Sequence, residues 1–390
     1  MKRVLYIVPG LDPTYKDGAS NRVNSFINCF KEGGYEVIVA PLTTYNKFGN
    51  AYKKRDSYSK EAKWILIPFL FFKNRFLNLH IYLVKFILLI LTIWYRPRIV
   101  IADYAHGGEL ARWTKLTAKL IVNHRGDSID EFKCAYNKQN DNHTFIKSYK
   151  WYIKRAIKKA DISICVSENL RQELMKQSGL ELNNTFIYPC CADITRFEHT
   201  TCPCNKEKIV VGYFGGFSKW QCIDTILDIF IELRKKDPRF FLMLITNSSP
   251  EPYKEKLEKI GKENYSIKGV PFNEIPENIS QMDASFALRE ERPLNIVSSP
   301  TKLSESLAAG VPIIVTRGSG DYAEMLIDNK NGLLIESINY TAADIDRLYK
   351  FLLYVKENRK EVFDICKESV KERTWNNYCK EFHKFLAQHL

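Results

Sequence analysis

The chain of 390 residues is 45% apolar, 13% aromatic and 26% charged, which supports a packed core and excludes disordered, collagen-like and low-complexity classes. Its 58 Lys+Arg stand against 45 Asp+Glu. Residues 1–200 carry 31 basic and 18 acidic side chains and residues 201–390 carry 27 of each, so the whole excess of +13 lies in the first half. Charge of that kind points to an anionic partner: nucleic acid, an anionic membrane surface or a phosphorylated lipid.

Met1-Lys2-Arg3 leads straight into a strand-like run, a start unlike a signal peptide. Strands are expected at residues 3–9, 35–40, 98–103, 119–123, 161–166 and 186–189, with amphipathic helical stretches such as 21–31 and 143–159 between them. Short apolar strands separated by helices imply a parallel sheet covered on both faces. The ten cysteines are scattered. Their one close cluster (Cys190, Cys191, Cys202, Cys204) lacks paired C-x2-C spacing and a nearby His pair, so reduced cytoplasmic thiols are expected rather than disulfides or zinc.

Residues 64–95 are strongly apolar, yet Lys73, Asn74 and Arg75 break the run and Lys85 interrupts its second part. Lys53-Lys54-Arg55, Lys60 and Lys63 lie upstream and Arg96-Pro97-Arg98 follows. A spanning helix needs about 20 apolar residues in a row. The pattern instead fits a helix in the bilayer interface with its basic residues near anionic head groups. The alternative is a pair of core helices packed on a sheet.

Residues 196–207 read as a linker. Beyond them, strands are expected at 208–214, 240–246, 265–270, 285–288, 312–316 and 332–335, helices at 223–236 and 301–309, and a final helix at 375–389. The fold class is therefore α/β: two doubly wound, Rossmann-like domains, residues 1–197 and 205–372. The helical segment 373–390 is a candidate to pack back on the first domain. Ligands in such sheets bind at the carboxyl ends of the strands, here with a cleft expected between the domains.

In the first domain, small residues at Gly18-Ala19-Ser20-Asn21-Arg22 open a helix and allow close backbone approach to an anion. Gly18, Asn21 and Arg22 are accordingly candidates. After the fourth strand come Asn123-His124-Arg125-Gly126-Asp127, where doubly wound domains place functional groups. His124, Arg125 and Asp127 are candidates, and His106 is a weaker one. Neither a G-x-G-x-x-G fingerprint nor a G-x-x-x-x-G-K-[ST] loop occurs, which argues against dinucleotide dehydrogenases and P-loop nucleotidases.

In the second domain, a strand runs into Gly215-Gly216-Phe217-Ser218-Lys219-Trp220-Gln221, an anion-binding type of loop. Ser298, Ser299 and Pro300 then precede a helix opened by Thr301 and Lys302. Helix-start N–H groups and hydroxyls there can cradle a diphosphate, with Lys302 and Arg289 neutralising it. Glu305 shares a helix face with Lys302, where its carboxylate can accept the two hydroxyls of a ribose. Without further context this is also a solvated Lys–Glu pair on an ordinary helix.

The run Ser299-Pro300-Thr301-Lys302, then Glu305, then Ala308-Ala309-Gly310-Val311-Pro312 resembles the nucleotide-sugar signature of the family 4 glycosyltransferases with the GT-B fold. The resemblance extends through Gly215–Gln221, Asp321 and Gly332-Leu333-Leu334, and in the first half through Val166-Ser167-Glu168 and Tyr188-Pro189-Cys190-Cys191-Ala192-Asp193. It implies a glycosyltransferase that moves a sugar from a nucleotide-diphosphate donor to an acceptor hydroxyl, usually with retention and without a metal. No cofactor beyond the donor is implied. By motif, Glu305 would hold the ribose; Ser298, Ser299, Thr301 and Lys302 the diphosphate, helped by Gly216, Lys219 and Arg289. His124 would lie near the transferred sugar, and His124, Arg289 and Lys302 would serve the catalytic step. Two positions depart from the family pattern. Val297 stands where a Glu is usual, leaving Asn295 as a substitute toward the sugar ring, and Gly216-Phe217-Ser218 replaces the usual G-R-L.

Combined with the basic first half, the resemblance implies a polyprenyl-diphosphate-linked or other glycan acceptor in surface polysaccharide synthesis. It also implies a cytoplasmic, peripheral position on an anionic membrane surface, and no nucleic-acid partner. The rival readings are a GT-B-type nucleotide-sugar epimerase, a non-catalytic GT-B scaffold, and a basic nucleic-acid binder, for which no recognition element is present.

Overall fold

The computed structural model describes residues 2–11, 18–54, 58, 60–69, 77–137, 140, 142–202 and 207–390. Residues 12–17 before Gly18, Arg55, the stretch 70–76 with Lys73, Asn74 and Arg75, and Pro203 and Cys204 of the expected linker lie outside them. The chain divides into two units. One comprises residues 1–129, 138–189 and 375–390; the other comprises 130–137 and 190–374.

The first half runs β1 (Lys2–Pro9), α1 (Gly18–Glu32), β2 (Tyr35–Thr44), α2 (Tyr45–Lys53), β3 (Lys63–Trp64), β4 (Ile67–Phe69) and α3 (Leu77–Tyr95). It continues through β5 (Ile99–Asp103), α4 (Tyr104–Leu110), β6 (Lys119–His124), α5 (Ser128–Tyr136), α6 (Thr144–Lys159), β7 (Ile162–Cys165), α7 (Glu168–Ser178) and β8 (Thr185–Ile187). The strands form one parallel sheet in the order β3-β2-β1-β5-β6-β7-β8, with β4 also on β2. β5 and β7 are buried at every position, the signature of a parallel sheet covered on both faces.

One expectation changes here. The beginning of the apolar 64–95 segment is sheet, not helix: Trp64 pairs with Val39, and residues 67–69 pair with 42–44. The second part is one helix, α3, and no helix among the described residues is long and apolar enough to cross a membrane. Val84, Lys85, Leu88 and Thr92 are buried, Lys85 against Glu109 at 2.6 Å, whereas Tyr82, Leu83, Phe86, Ile90, Ile93 and Trp94 are exposed. Their three- and four-residue spacing makes them one stripe on the outer face.

The last helix, α15 (Trp375–His389), belongs to the first unit. Its positions Trp375, Tyr378, Cys379, Phe382 and Leu386 follow helical periodicity and pack with Phe26, Phe30, Phe186 and Tyr188. Within that cluster Cys29 and Cys379 form a disulfide with their Cα atoms 5.4 Å apart, and His383 Nε2 bonds the Cys29 carbonyl at 2.8 Å. This overturns the expectation of reduced thiols for that pair. The two cysteines are 350 residues apart, so no local spacing announces them.

The second unit runs β9 (Ile209–Phe214), α8 (Ile223–Lys236), β10 (Phe240–Ile245), α9 (Lys254–Ile260), β11 (Tyr265–Lys268), α10 (Ile275–Ser280) and β12 (Ala284–Ala287). Then come α11 (Pro293–Ile296), α12 (Thr301–Ala308), β13 (Ile313–Thr316), β14 (Gly332–Ile335), α13 (Ala342–Glu357) and α14 (Arg359–Ser369). Its six parallel strands are ordered β11-β10-β9-β12-β13-β14. The order reverses at β9/β12, the switch point at which doubly wound sheets bind ligands. Residues 196 and 197, read from the sequence as linker, are instead folded into this unit: they end the 3-10 turn Ile194–Phe197, and Phe197 is buried in its core.

Candidate functional site

The loop after β9 and the start of α12, which follows β12, meet at that switch point. Gly215 has φ +118°, and a Cβ there would overlap Lys302 Cε and Nζ. Only glycine therefore leaves the lysine lying across the loop. Lys302 Nζ donates to Tyr213 Oη at 2.7 Å and to Gln221 Oε1 at 3.1 Å, and lies 4.5 Å from the Tyr213 ring centroid. Tyr213 Oη in turn donates to the Gly216 carbonyl at 2.6 Å, closing the loop on itself. Arg289, buried at the end of β12, donates Nη1 to the Trp220 carbonyl at 2.8 Å.

Lys302 and Arg289 thus spend their described hydrogen bonds on neutral oxygens, and neither forms an ion pair among the described residues. Desolvation pushes the Lys302 amine well below its usual range, and the Arg289 charge pushes it further. Three other enclosed cations are matched by carboxylates, Lys85 with Glu109, Arg125 with Asp103 and Arg373 with Asp321, at 2.6 to 2.9 Å, whereas Arg22 donates to two chain carbonyls and an amide oxygen. The two cations Lys302 and Arg289 lie near each other at the carboxyl edge of the sheet, and the acidic group acting on Lys302 is Glu305, which Arg196 also approaches, so the site is short of negative charge.

Glu305, one helical turn after Lys302, has 14% of its side chain exposed and faces Arg196 Nη1 at 3.5 Å. Burial raises its carboxyl to about 7 against the pull of Arg196 and Lys302. Thr301 is the first residue of α12, whose leading N–H groups lack helical partners. Lys219 is exposed in the loop.

Three predicted residues are engaged elsewhere. Ser299 Oγ accepts from Cys190 N and from Arg373 Nη2, both at 2.9 Å; Arg373 also pairs with Asp321. Ser298 Oγ donates to the Asn295 carbonyl at 2.6 Å, and Asn295 Nδ2 donates to the Glu290 carbonyl at 2.9 Å. Val297 is buried. Ser299 and Asn295 therefore brace the turn into α12.

In the first unit His124 ends β6, is buried, and its Nε2 has no hydrogen-bond partner among the described residues. Burial lowers its imidazole to about 4, so it is neutral at pH 7. It lines a small pocket with Tyr104, Arg125, Asp127 and Gln177. Arg125 Nη1 donates to Asp103 Oδ2 at 2.9 Å. Asp127 accepts from Ile129 N and from Gln177 Nε2, both at 2.9 Å, and so caps α5.

Gly18 opens α1 and Asn21 sits in its first turn. Arg22 does not face outward: it is buried and donates to the Tyr188 and Pro189 carbonyls and to Asn123 Oδ1. It satisfies chain carbonyls just beyond β8 and acts as a strut. Sequence reasoning missed Tyr213, Gln221, Arg196 and Arg373. Gln221 closes the Gly215–Gln221 run, Tyr213 lies two residues before it and Arg196 three residues after Asp193, whereas Arg373 lies outside every motif.

Residues 16–196 match the family model described as Glycosyltransferase Family 4, and residues 208–350 the model described as Glycosyl transferases group 1. Among solved structures the chain is similar to sucrose-phosphate synthase from Thermosynechococcus elongatus, with TM-score 0.76 and 14% identity over 100% of this chain and 99% of that one. It is similar to the lipopolysaccharide outer core galactosyltransferase WaaB, at TM-score 0.68 and 15% identity over all of both chains. It is also similar to Anabaena Alr3699/HepE in complex with UDP and glucose, at TM-score 0.68 and 12% identity over 98% and 99%. At such identities the likeness is one of fold. No curated protein sequence matches the chain.

Proposed function

The chain belongs to the family 4 glycosyltransferases of GT-B fold, and from that premise we propose that it transfers a sugar, with retention, from a nucleotide-diphosphate donor to a lipid-linked glycan in surface polysaccharide assembly. The observation that carries the donor half is the pair Lys302, in the first turn of α12, and Arg289, neither of which forms an ion pair among the described residues. A nucleotide diphosphate supplies the missing anion. Its charge grows as the glycosidic bond breaks, so cations and helix-start N–H groups fixed in place stabilise the transition state more than the ground state. Glu305, recessed one turn on, accepts the ribose hydroxyls. His124, a neutral imidazole in the first unit, is assigned to the transferred sugar by its match to the family pattern. Lys302 and Arg289 supply at the diphosphate the positive charge that a metal ion supplies elsewhere.

The acceptor half rests on α3. Its stripe from Tyr82 to Trp94 extends about 18 Å along the helix axis and leaves Trp94 78% exposed. Leu116 is equally exposed in the neighbouring 3-10 stretch, among Arg112, Lys115 and Lys119. An apolar stripe bordered by cations suits the surface of an anionic bilayer, where a polyprenyl-diphosphate acceptor presents its glycan.

The donor test is a thermal-shift comparison of wild type and Glu305→Ala against UDP, GDP, ADP and TDP and their sugars. A ligand at 100 times its Kd adds about 2.7 kcal/mol to the stability of the binding protein. One diphosphate is expected to stabilise wild type and not the variant; stabilisation of neither refutes the donor site. The surface test is flotation with phosphatidylglycerol vesicles, which Phe86→Ser/Ile90→Ser/Trp94→Ser should abolish without changing nucleotide binding. Equal flotation of both proteins would refute the membrane assignment.

A further inference from the structure

We propose that Arg196 is a positioning residue of the donor site, holding the Glu305 carboxylate ionised and aimed for the nucleotide ribose. The inference rests on the donor-site reading above and adds to it a residue from outside the motif that suggested it.

The geometry shows which partner serves which. Arg196 closes the turn Ile194–Phe197, which buried Phe197 anchors in the core and Lys367 braces by donating to the Phe197 carbonyl at 3.0 Å. Its Nη2 donates to the Phe272 carbonyl at 2.8 Å, and its guanidinium stacks 3.8 Å from the centroid of the Phe272 ring. Those two contacts fix the arginine whether or not Glu305 is present. Toward Glu305 its nearest approach is Nη1 to Oε1 at 3.5 Å. A bidentate fork would engage both carboxylate oxygens; this longer approach forms no such fork and leaves the carboxylate able to accept from a ligand. The pair also keeps an opening, with 18% of the Arg196 side chain and 14% of the Glu305 side chain exposed.

A counter-charge is needed there. The charged groups acting on Glu305 are Arg196 from this turn and Lys302 on its own helix, and both oppose the burial that raises its carboxyl to about 7. Lys302 is a poor permanent partner, because its own charge is disfavoured by desolvation and by Arg289. Only an ionised carboxylate accepts both vicinal hydroxyls, since a protonated one must spend an oxygen as donor. Arg196 is therefore the constant charge that keeps the ribose acceptor in working form near neutral pH.

The test is the Kd of UDP, GDP, ADP and TDP by calorimetry between pH 6 and 9, for wild type, Arg196→Met, Arg196→Lys and Glu305→Gln. Methionine keeps an unbranched chain against Phe272 while removing the charge. Losing an opposite charge at this range raises a carboxyl by about one unit or more. With Glu305 moving from about 7 to about 8, the Met variant should bind about tenfold more weakly than wild type at pH 6, about fivefold at pH 7 and about equally at pH 9. Titration of the nucleotide and of Lys302 is common to both proteins and leaves the ratio unchanged. Arg196→Lys should recover most of the loss, and Glu305→Gln should bind weakly with this limb absent. A ratio that stays the same at every pH, or stays near one, overturns the assignment while leaving the donor site intact. If no diphosphate binds wild type, or Glu305→Gln binds as wild type does, the donor-site reading falls and the role of Arg196 falls with it.

Discussion

Replacing Lys302 by Met removes the recess cation closest to the Gly215-Gly216 loop and should separate catalysis from stability. A unit charge about 4 Å from a leaving diphosphate oxygen, at an effective dielectric near 20, is worth about 4 kcal/mol. Loss of one fixed donor to a developing oxyanion costs about 2.7 to 4 kcal/mol. At 1.36 kcal/mol per decade, kcat/KM should fall about a hundred- to a thousandfold. The fold should not suffer to match. The amine's charge is disfavoured in the free protein by burial and by Arg289, and Met fills similar space, so Tm should hold or rise.

The same lysine predicts a proton signature. The folded protein holds its amine well below the usual range, and a bound diphosphate moves it back up. Between those two values binding takes up a proton, and affinity falls as pH rises through that window. Calorimetry of the stabilising diphosphate from pH 7 to 10, in pairs of non-phosphate buffers of different ionisation heat, reads the uptake directly; Lys302→Met should lose it. Buffer-independent heats in wild type, or kcat/KM within threefold of wild type in the variant, would refute the reasoning.

Gly215→Ala puts a methyl where Lys302 Cε and Nζ lie; kcat/KM should drop toward the Lys302→Met value, and the double variant should be no worse than either single one. Arg373→Ala strands the enclosed Asp321 carboxylate, its partner at 2.6 Å, and removing one member of a buried pair costs about 3 to 5 kcal/mol, measurable as a lower urea midpoint. His124 is held neutral down to about pH 4, whereas an unfolded His takes a proton near pH 6.5. Stability should therefore decline as pH falls from about 6.5 to 4. His106, lowered to about 4 by the same burial, adds an equal share; His124→Gln should therefore remove about half of that slope in the urea-midpoint profile, and an unchanged profile would remove His124 from the account of acid stability.

The strands were legible because both faces of a parallel sheet are covered, which turns β1, β5, β9 and β13 into unbroken apolar runs. The short strands β3 and β4 were not. They precede the apolar helix α3, and composition alone does not divide Lys63–Trp64 and Ile67–Phe69 from that helix. Helix α15 was legible as a helix from its periodicity, but its cross-link was not, since Cys29 and Cys379 are neighbours only through the tertiary fold.

The site divides along the same line, between residues contiguous in sequence and residues the topology assembles. Thr301, Lys302 and Glu305 share one helix and could be read together, but Tyr213 and Gln221 reach Lys302 only because β9 and β12 are adjacent in the sheet. Arg22 shows the cost of reading position alone. At the start of a helix it resembled an anion-binding residue, yet the carbonyls of Tyr188 and Pro189 take its guanidinium. Two cations can thus look alike in sequence and differ entirely in use. What separates them is place: Arg22 ties α1 to the chain beyond β8, whereas Lys302 and Arg289 lie at the switch point of the second sheet. Arg125 and Arg373 each meet a carboxylate and their charge is spent inside the fold. Lys302 and Arg289 meet only neutral oxygens, so burying them lowers stability until a ligand brings the balancing charge. On the donor-site reading proposed above, that balancing anion is the diphosphate of the substrate, which places the imbalance at the carboxyl edge of the sheet, where such sheets bind ligands.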